Sequence, residues 1–273
     1  EERLKGVLPL KKLITSPSAS KIKYVMKTEP ISVKDNDPIE EVAEKIEKYD
    51  LVALPVVDSI GRLVGRITID DVIDEIREQH ERDYQLASGI SQDIEASDKV
   101  YMQTAARLPW LLIGMAGGLA NSILLGGFDS LFAANPKMAL FIPLIGGTGG
   151  NVGIQSSAIV VQGLANNSLK QAKLWSLIAK EVVVALINAS IISLVVFLFN
   201  YFFLGDVLVM SAVSISLFSV VLFASIFGTM VPMLLDRLKI DPAIATGPFI
   251  TITNDLIGMM IYMLVATLLA QAL

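Results

Sequence analysis

Cysteine is absent from the 273 residues, and histidine occurs once, as His80. The first absence excludes disulfides, thiolate metal sites and cysteine nucleophiles. The second excludes an HExxH zinc site, which needs two histidines. No GxxxxGK[ST] phosphate loop is present, which argues against an ATP-driven pump. A signal peptide is missing too: residues 1–12 are charged, and Glu1 is not an initiator methionine, so the sequence reads as a piece that begins inside a longer protein. Basic charge is in deficit, with 22 Lys and Arg against 27 Asp and Glu. A net charge of −5, nearly all of it before Leu108, gives neither nucleic acid nor an anionic lipid surface a reason to bind.

What the chain has in excess is apolar residues, 53% of the total, with a mean hydropathy of +0.61. They are unevenly placed. The sequence is mixed and charge-rich up to Arg107, and charged residues become rare beyond it, so two regions with different solvents are expected. Five apolar stretches follow, near Leu108–Gly127, Met138–Gln162, Leu174–Leu204, Val207–Leu235 and Pro242–Leu273. Each is long enough to cross a hydrocarbon core of about 30 Å as a helix. Lys and Arg in the short loops set the orientation: Arg107, the loop with Lys170 and Lys173, and the loop with Arg237 and Lys239 fall on one side. The opposite loops hold Asp129, Lys137 and Asp206. The positive-inside rule then places the N-terminal region in the cytosol and the C-terminus outside, despite Lys137.

Within the stretches three ionisable residues remain, Lys180, Glu181 and Asp255. Charge in hydrocarbon costs at least about 2.5 kcal/mol at a helix centre, so such groups mark a pathway or a pair. Lys180 and Glu181 lie near a helix end, where they can snorkel or pair structurally. Asp255 sits halfway along the fifth stretch with no basic residue near it, which is the pattern of a functional acid. Two segments are also too irregular for lipid-facing helices. Pro143 to Ser157 contains five glycines with Asn151, Gln155 and two serines, which suits close helix packing, a water-lined path, or both. The fifth stretch opens on Asp241-Pro242, a helix cap and first-turn pair, and carries Gly247, Pro248, Thr251, Asn254 and Asp255, with Pro248 expected to free a carbonyl two turns before the acid. Carboxylate, amide, hydroxyl and carbonyl groups are hard oxygen ligands, suited to Mg2+ or Ca2+ rather than Cu or Zn. Mg2+ keeps several waters, so a carboxylate ring from two subunits would suit it as a hydrated ion.

Residues 22–77 alternate short strands with helices. Asp37-Pro38 reads as a helix start, and Ile39, Val42, Ala43 and Ile46 recur at helical spacing. Leu54–Val57 and Leu63–Ile67 read as a hairpin around residues 58–61, and Thr68 with Asp71 as the capping box of a long helix running from Asp70 to about Ala87. Asp71, Asp74, Glu75 and Glu78 share one face of that helix, where repulsion would be relieved by a bound divalent cation or simply by solvent. His80 reads as a solvated residue of the same helix.

Tyr24–Val33, Leu54-Pro-Val-Val-Asp58 and Gly61–Val72 resemble a CBS domain. Leu4–Ile14 is similar to the tail of a preceding one. Arg107-Leu-Pro-Trp-Leu111, the GGTGGN core between Pro143 and Ser157, Lys180-Glu181, Gly247-Pro248, Asn254-Asp255 and Ile261-Tyr262 resemble the MgtE family of magnesium channels. The resemblance implies residues 1–16 as the tail of a first CBS domain, 17–77 as a CBS domain, 78–107 as connecting helices and 108–273 as an all-α bundle of five transmembrane helices. It implies a homodimer in a bacterial inner membrane, with Asp255 as the central Mg2+ site and closure driven by cytosolic Mg2+. Gly247, Thr251, Asn254, Gly149, Gly150 and Asn151 would line the pore, and Asp71, Asp74, Glu75, Glu78, Asp83 and Asp241 would supply regulatory ligands. Thr68 and Asp71 match the positions where many CBS domains hold ATP. Two departures stand out: the acidic helical domain usual before the CBS pair is absent from this sequence, and Gly247 stands where some members have Asn. The competing readings are a broader divalent-cation or ion-coupled carrier, an intramembrane enzyme under CBS control, and a membrane-tethered nucleotide sensor; the last has no use for an acid in a span.

Overall fold

The computed structural model describes residues 3–165, 169, 174–245 and 247–272; Lys170, Lys173 and Thr246 lie outside the described residues. The chain divides into two compact units, Glu1–Glu81 and Arg82–Leu273.

The first unit opens with β1 (Gly6–Val7), α1 (Leu10–Thr15), α2 (Ile22–Val25) and β2 (Lys27–Thr28), with β1 antiparallel to β2. A three-stranded sheet follows, in which β3 (Val33–Lys34) runs parallel to β4 (Ala53–Val57), and β4 antiparallel to β5 (Leu63–Thr68). The β3–β4 crossover is α3 (Ile39–Tyr49), whose Val42 and Ile46 are buried one turn apart, as an amphipathic helix on a sheet requires. They join Val33, Leu54 and Val72 in one core. Asp37 does not cap α3 as the sequence suggests. Its carboxylate accepts instead from the Lys34 backbone N–H (3.0 Å) and from Lys45 Nζ (3.2 Å), and Pro38 occupies the cap position with no side-chain bond. The β4–β5 turn is held by Asp58, which accepts from the Arg62 and Ile60 backbone N–H groups (2.8 and 3.1 Å) and the Arg62 guanidinium (2.9 Å), with Gly61 at φ +82°. α4 (Ile69–Ala87) begins in this unit, buries Val72 in its core, and contains the boundary between the units.

The second unit is helical. α5 (Val100–Gly126) starts well before the apolar stretch and carries Pro109 within it. α6 (Asp129–Ala134) and a 3-10 turn (Pro136–Phe141) lead to α7 (Ile142–Ala165). α8 (Leu174–Phe203) and α9 (Val207–Arg237) follow, then a second 3-10 turn (Pro242–Ala245) and α10 (Gly247–Ala272). By length and composition α5, α8, α9 and Pro242–Ala272 are apolar enough to cross a membrane; α7 has 24 residues, but glycine and amide groups dilute its apolar character. α9 is the centre of the bundle, with α7 and α8 along it and α10 against both α7 and α9. The main apolar cluster joins Met138, Phe141 and Ile145 to Val213, Leu217 and Val220 of α9 and to Met259, Tyr262 and Met263 of α10. Lys137 stands 3.8 Å from Asp206, so this lysine has its counter-charge in another loop of the same side.

Candidate ion path

The glycines of α7 let its backbone meet both neighbours. A Cβ added at Gly149 would stand 2.8 Å from Val220 Cγ1, and one at Gly153 would overlap the Asn254 amide and stand 2.7 Å from Ile250 Cγ2. A Cβ at Gly228 of α9 would run into the Gly153 carbonyl. Small residues at a helix crossing are the usual means of such approach in lipid. Gly146 and Gly150 face the acid: a Cβ built there would lie 3.4 and 3.6 Å from Asp255 Oδ1. Gly146 opposes Asp255 and Met259 while Gly153 opposes Ile250 and Asn254, so α7 and α10 run antiparallel.

Asp255 lies eight residues along α10, about 12 Å at 1.5 Å per residue. Its carboxylate is half-buried and has no hydrogen-bond or ion-pair partner among the described residues. Beside it α7 presents an exposed stripe of Gly147, Asn151 and Gln155 at four-residue spacing. A half-buried carboxylate on α10 and exposed amides on α7 are therefore both available to an ion at this helix pair.

The remaining predicted residues divide. Gly150 and Thr251 meet at the α7–α10 crossing, where the Thr251 hydroxyl donates to the Gly247 carbonyl (3.0 Å). Gly247 has φ +51°, a conformation that glycine and asparagine tolerate best, and a Cβ there would run into the Ala87 carbonyl. Gly149 faces α9. Asn254 is 1% exposed and wedged against Gly153, and neither amide atom has a partner among the described residues. Pro248 does not free a mid-helix carbonyl: α10 begins at Gly247, so the proline occupies its first turn, where an N–H has no intrahelical acceptor anyway. Asp241 accepts from the Ala243 N–H (2.8 Å) and so caps the 3-10 turn rather than α10.

Three polar ties that sequence reasoning did not reach hold α7 in place. Tyr262 Oη donates to the Met138 carbonyl at one end (2.9 Å), and Ser157 Oγ donates to the Ala245 carbonyl at the other (2.7 Å). Ser156 Oγ and Ser225 Oγ both donate to Glu181 Oε1, at 2.7 and 2.5 Å. Glu181 thus bonds to hydroxyls of α7 and α9, while Lys180 is exposed. Hydroxyls in a helix usually bond their own backbone, which is why nothing local marks these two.

In the first unit, Thr68 and Asp71 form a reciprocal capping box. The Thr68 N–H and hydroxyl donate to Asp71 Oδ2 (2.9 and 2.5 Å), and the Asp71 N–H donates to Thr68 Oγ1 (3.3 Å). The Thr68 hydroxyl, with its backbone N–H, holds the Asp71 carboxyl below the usual carboxylate range. A depressed folded pKa means that the stabilisation is present above the unfolded pKa of about 3.9 and is lost as pH falls through the folded value. Unfolding of this unit, followed by proteolysis of the whole chain, is expected to become easier as pH drops below about 4. Asp71→Asn should flatten that dependence. Asp74 is exposed, and among the described residues no three acidic or histidine side chains of this chain converge on one point that could hold a metal ion. The acids at 71, 74, 75 and 78, with Asp83 and Asp241, do not form such a group.

An apolar bundle with this polar, glycine-faced seam, joined to a small α/β unit, defines a multi-pass membrane protein with an attached soluble domain. Residues 142–265 match the MgtE family, described as divalent cation transporters, and residues 22–78 match the CBS domain. The "Magnesium transporter MgtE" of Bacillus subtilis is 33% identical over 272 residues, 100% of this chain and 60% of that protein. Its namesake in Thermus thermophilus is 34% identical over 276 residues (99% and 60%), and that of Enterococcus faecalis 33% over 268 (98% and 59%). The chain carries the MgtE domain over residues 142–265 and spans about 60% of the length of these relatives.

Proposed function

We propose that the chain is the membrane region, with part of the regulatory region, of a Mg2+ channel or transporter. The observation that carries this reading is Asp255, a half-buried carboxylate on an apolar helix with no partner among the described residues, flanked by the backbone of Gly146 and Gly150. Five helices, α5, α7, α8, α9 and α10, cross the membrane in this reading, with the CBS domain cytosolic and the C-terminus outside. A second copy completes the path, because one carboxylate does not surround an ion and the Gly147, Asn151 and Gln155 stripe is open in a single chain. Expression in a bacterium stripped of its Mg2+ uptake systems tests the reading. Growth at low Mg2+ is expected, and no growth despite membrane insertion would overturn it.

Regulation is assigned to the acidic face of α4. A cation can shift a conformational equilibrium only by its differential affinity for the two states, and Asp71, Asp74, Glu75 and Glu78 supply oxygen ligands that a second copy would complete. Neutralising all four to Asn or Gln is expected to abolish the dependence of flux on cytosolic Mg2+ while leaving ion ranking unchanged. An inhibition curve identical to the parent's, measured in the full-length protein, would show that the face is merely solvated. An adenine nucleotide at Thr68 and Asp71 is a separate proposal that the capping box does not require.

A further inference from the structure

α7 has an unusual problem for a helix at the heart of a bundle. Between Gly146 and Gly153 its packed face is glycine, so side-chain interlocking with α9 and α10 is left to Ile145 at one end of this stretch. The fit is nonetheless close, since the backbone of Gly153 touches Gly228 and Gly150 lies against Asp255. Rotating a helix by about 20° moves a backbone atom at roughly 2.3 Å radius by about 0.8 Å. A functional site tolerates only about 0.5 Å. Over the glycine stretch something other than apolar keying must set the angle.

We propose that Glu181 is a positioning residue for the ion path. α8 lies along α9, and Glu181 carries it on to α7 by accepting from Ser156 of α7 and Ser225 of α9 on a single oxygen, Oε1. The two hydroxyls are 3.1 Å apart, so the three side chains form one closed cluster. Ser156 is 5% exposed and Ser225 2%, which leaves the hydroxyls no competing water. Each serine is three residues, just under one turn, from the Gly153–Gly228 crossing, so the carboxylate fixes the angle of α7 next to the place where its backbone meets α9. What the cluster needs from residue 181 is an acceptor of the right reach, not a charge. This inference rests on Asp255 marking the path.

The test uses purified full-length protein in liposomes, reading Mg2+ flux against concentration and the ratio of Mg2+ to Ca2+ flux. Glu181→Gln keeps Oε1 as acceptor and is expected to retain the parent's half-saturation and ion ratio. Glu181→Leu removes the acceptor of two buried hydroxyls and should shift half-saturation by about tenfold or more and lower the ion ratio in the folded protein, with thermal unfolding somewhat lowered. If the leucine variant is not recovered, Ser156→Ala with Ser225→Ala takes its place with the same expectation. The idea is overturned if Gln is as damaged as Leu, because charge rather than acceptance would then matter. It is equally overturned if the leucine or double-alanine variant keeps half-saturation and ion ratio. Asp255→Asn run beside them separates the two claims: unchanged flux there removes the path itself, whereas loss there with a failed Glu181 series removes only the positioning role.

Discussion

Asp255→Asn is expected to reduce Mg2+ flux to the background of protein-free liposomes, while the protein purifies in the same oligomeric state and unfolds at the same temperature. The substitution keeps the side-chain shape and removes the charge. At 4 Å and an effective dielectric of 20, a unit charge pair is worth about 4 kcal/mol, and a divalent ion doubles that attraction. Even half of one such term corresponds to more than about tenfold in occupancy. Among the described residues Asp255 belongs to no group of three or more acidic or histidine side chains that could hold a metal ion in its stead. Folding should be indifferent, because the carboxylate has no partner to lose among the described residues.

The second large effect belongs to packing. Gly153→Leu is expected to yield little or no folded, conducting protein, because a Cβ at this position already overlaps the Asn254 amide and crowds Ile250, and Gly228 closes the other side. Even Gly153→Ala should cost about 1–3 kcal/mol, the usual scale of overpacking. Gly147→Ala is the internal control: the same chemical change, six residues away on another face of α7, meets nothing within 4 Å and should leave thermal unfolding unchanged. Equal damage at Gly147 and Gly153, measured by recovery in detergent and thermal unfolding, would contradict the assigned face of α7.

How much of this was legible follows from where each signal is stored. The four helices long and apolar enough to cross a membrane, and the presence of an acid within the last of them, could be read because lipid makes a local demand, a long apolar run with any charge conspicuous within it. The Thr68–Asp71 box and the Asp58 turn could be read because both partners lie within four residues. Asn254 read as pore-lining because a polar residue in a span suggests water, yet it is buried against Gly153, a fact that depends on the rotation of α10. Glu181 was conspicuous as an acid, but Ser156 and Ser225 lie 25 and 44 residues away, and no periodicity connects them. The start of α10 was misplaced for a related reason. Asp241-Pro242 has the composition of a helix start, and it does start a turn, but that turn is 3-10 and stops at Ala245.

The most direct test of the central claim is Mg2+ entry into liposomes carrying the purified protein, with Mg2+ as the sole external divalent cation and a Mg2+-sensitive dye inside. The account predicts a dye response that scales with the amount of protein, saturates with Mg2+, and disappears in Asp255→Asn. A response no greater than in empty liposomes, or one undiminished by Asp255→Asn, would contradict it.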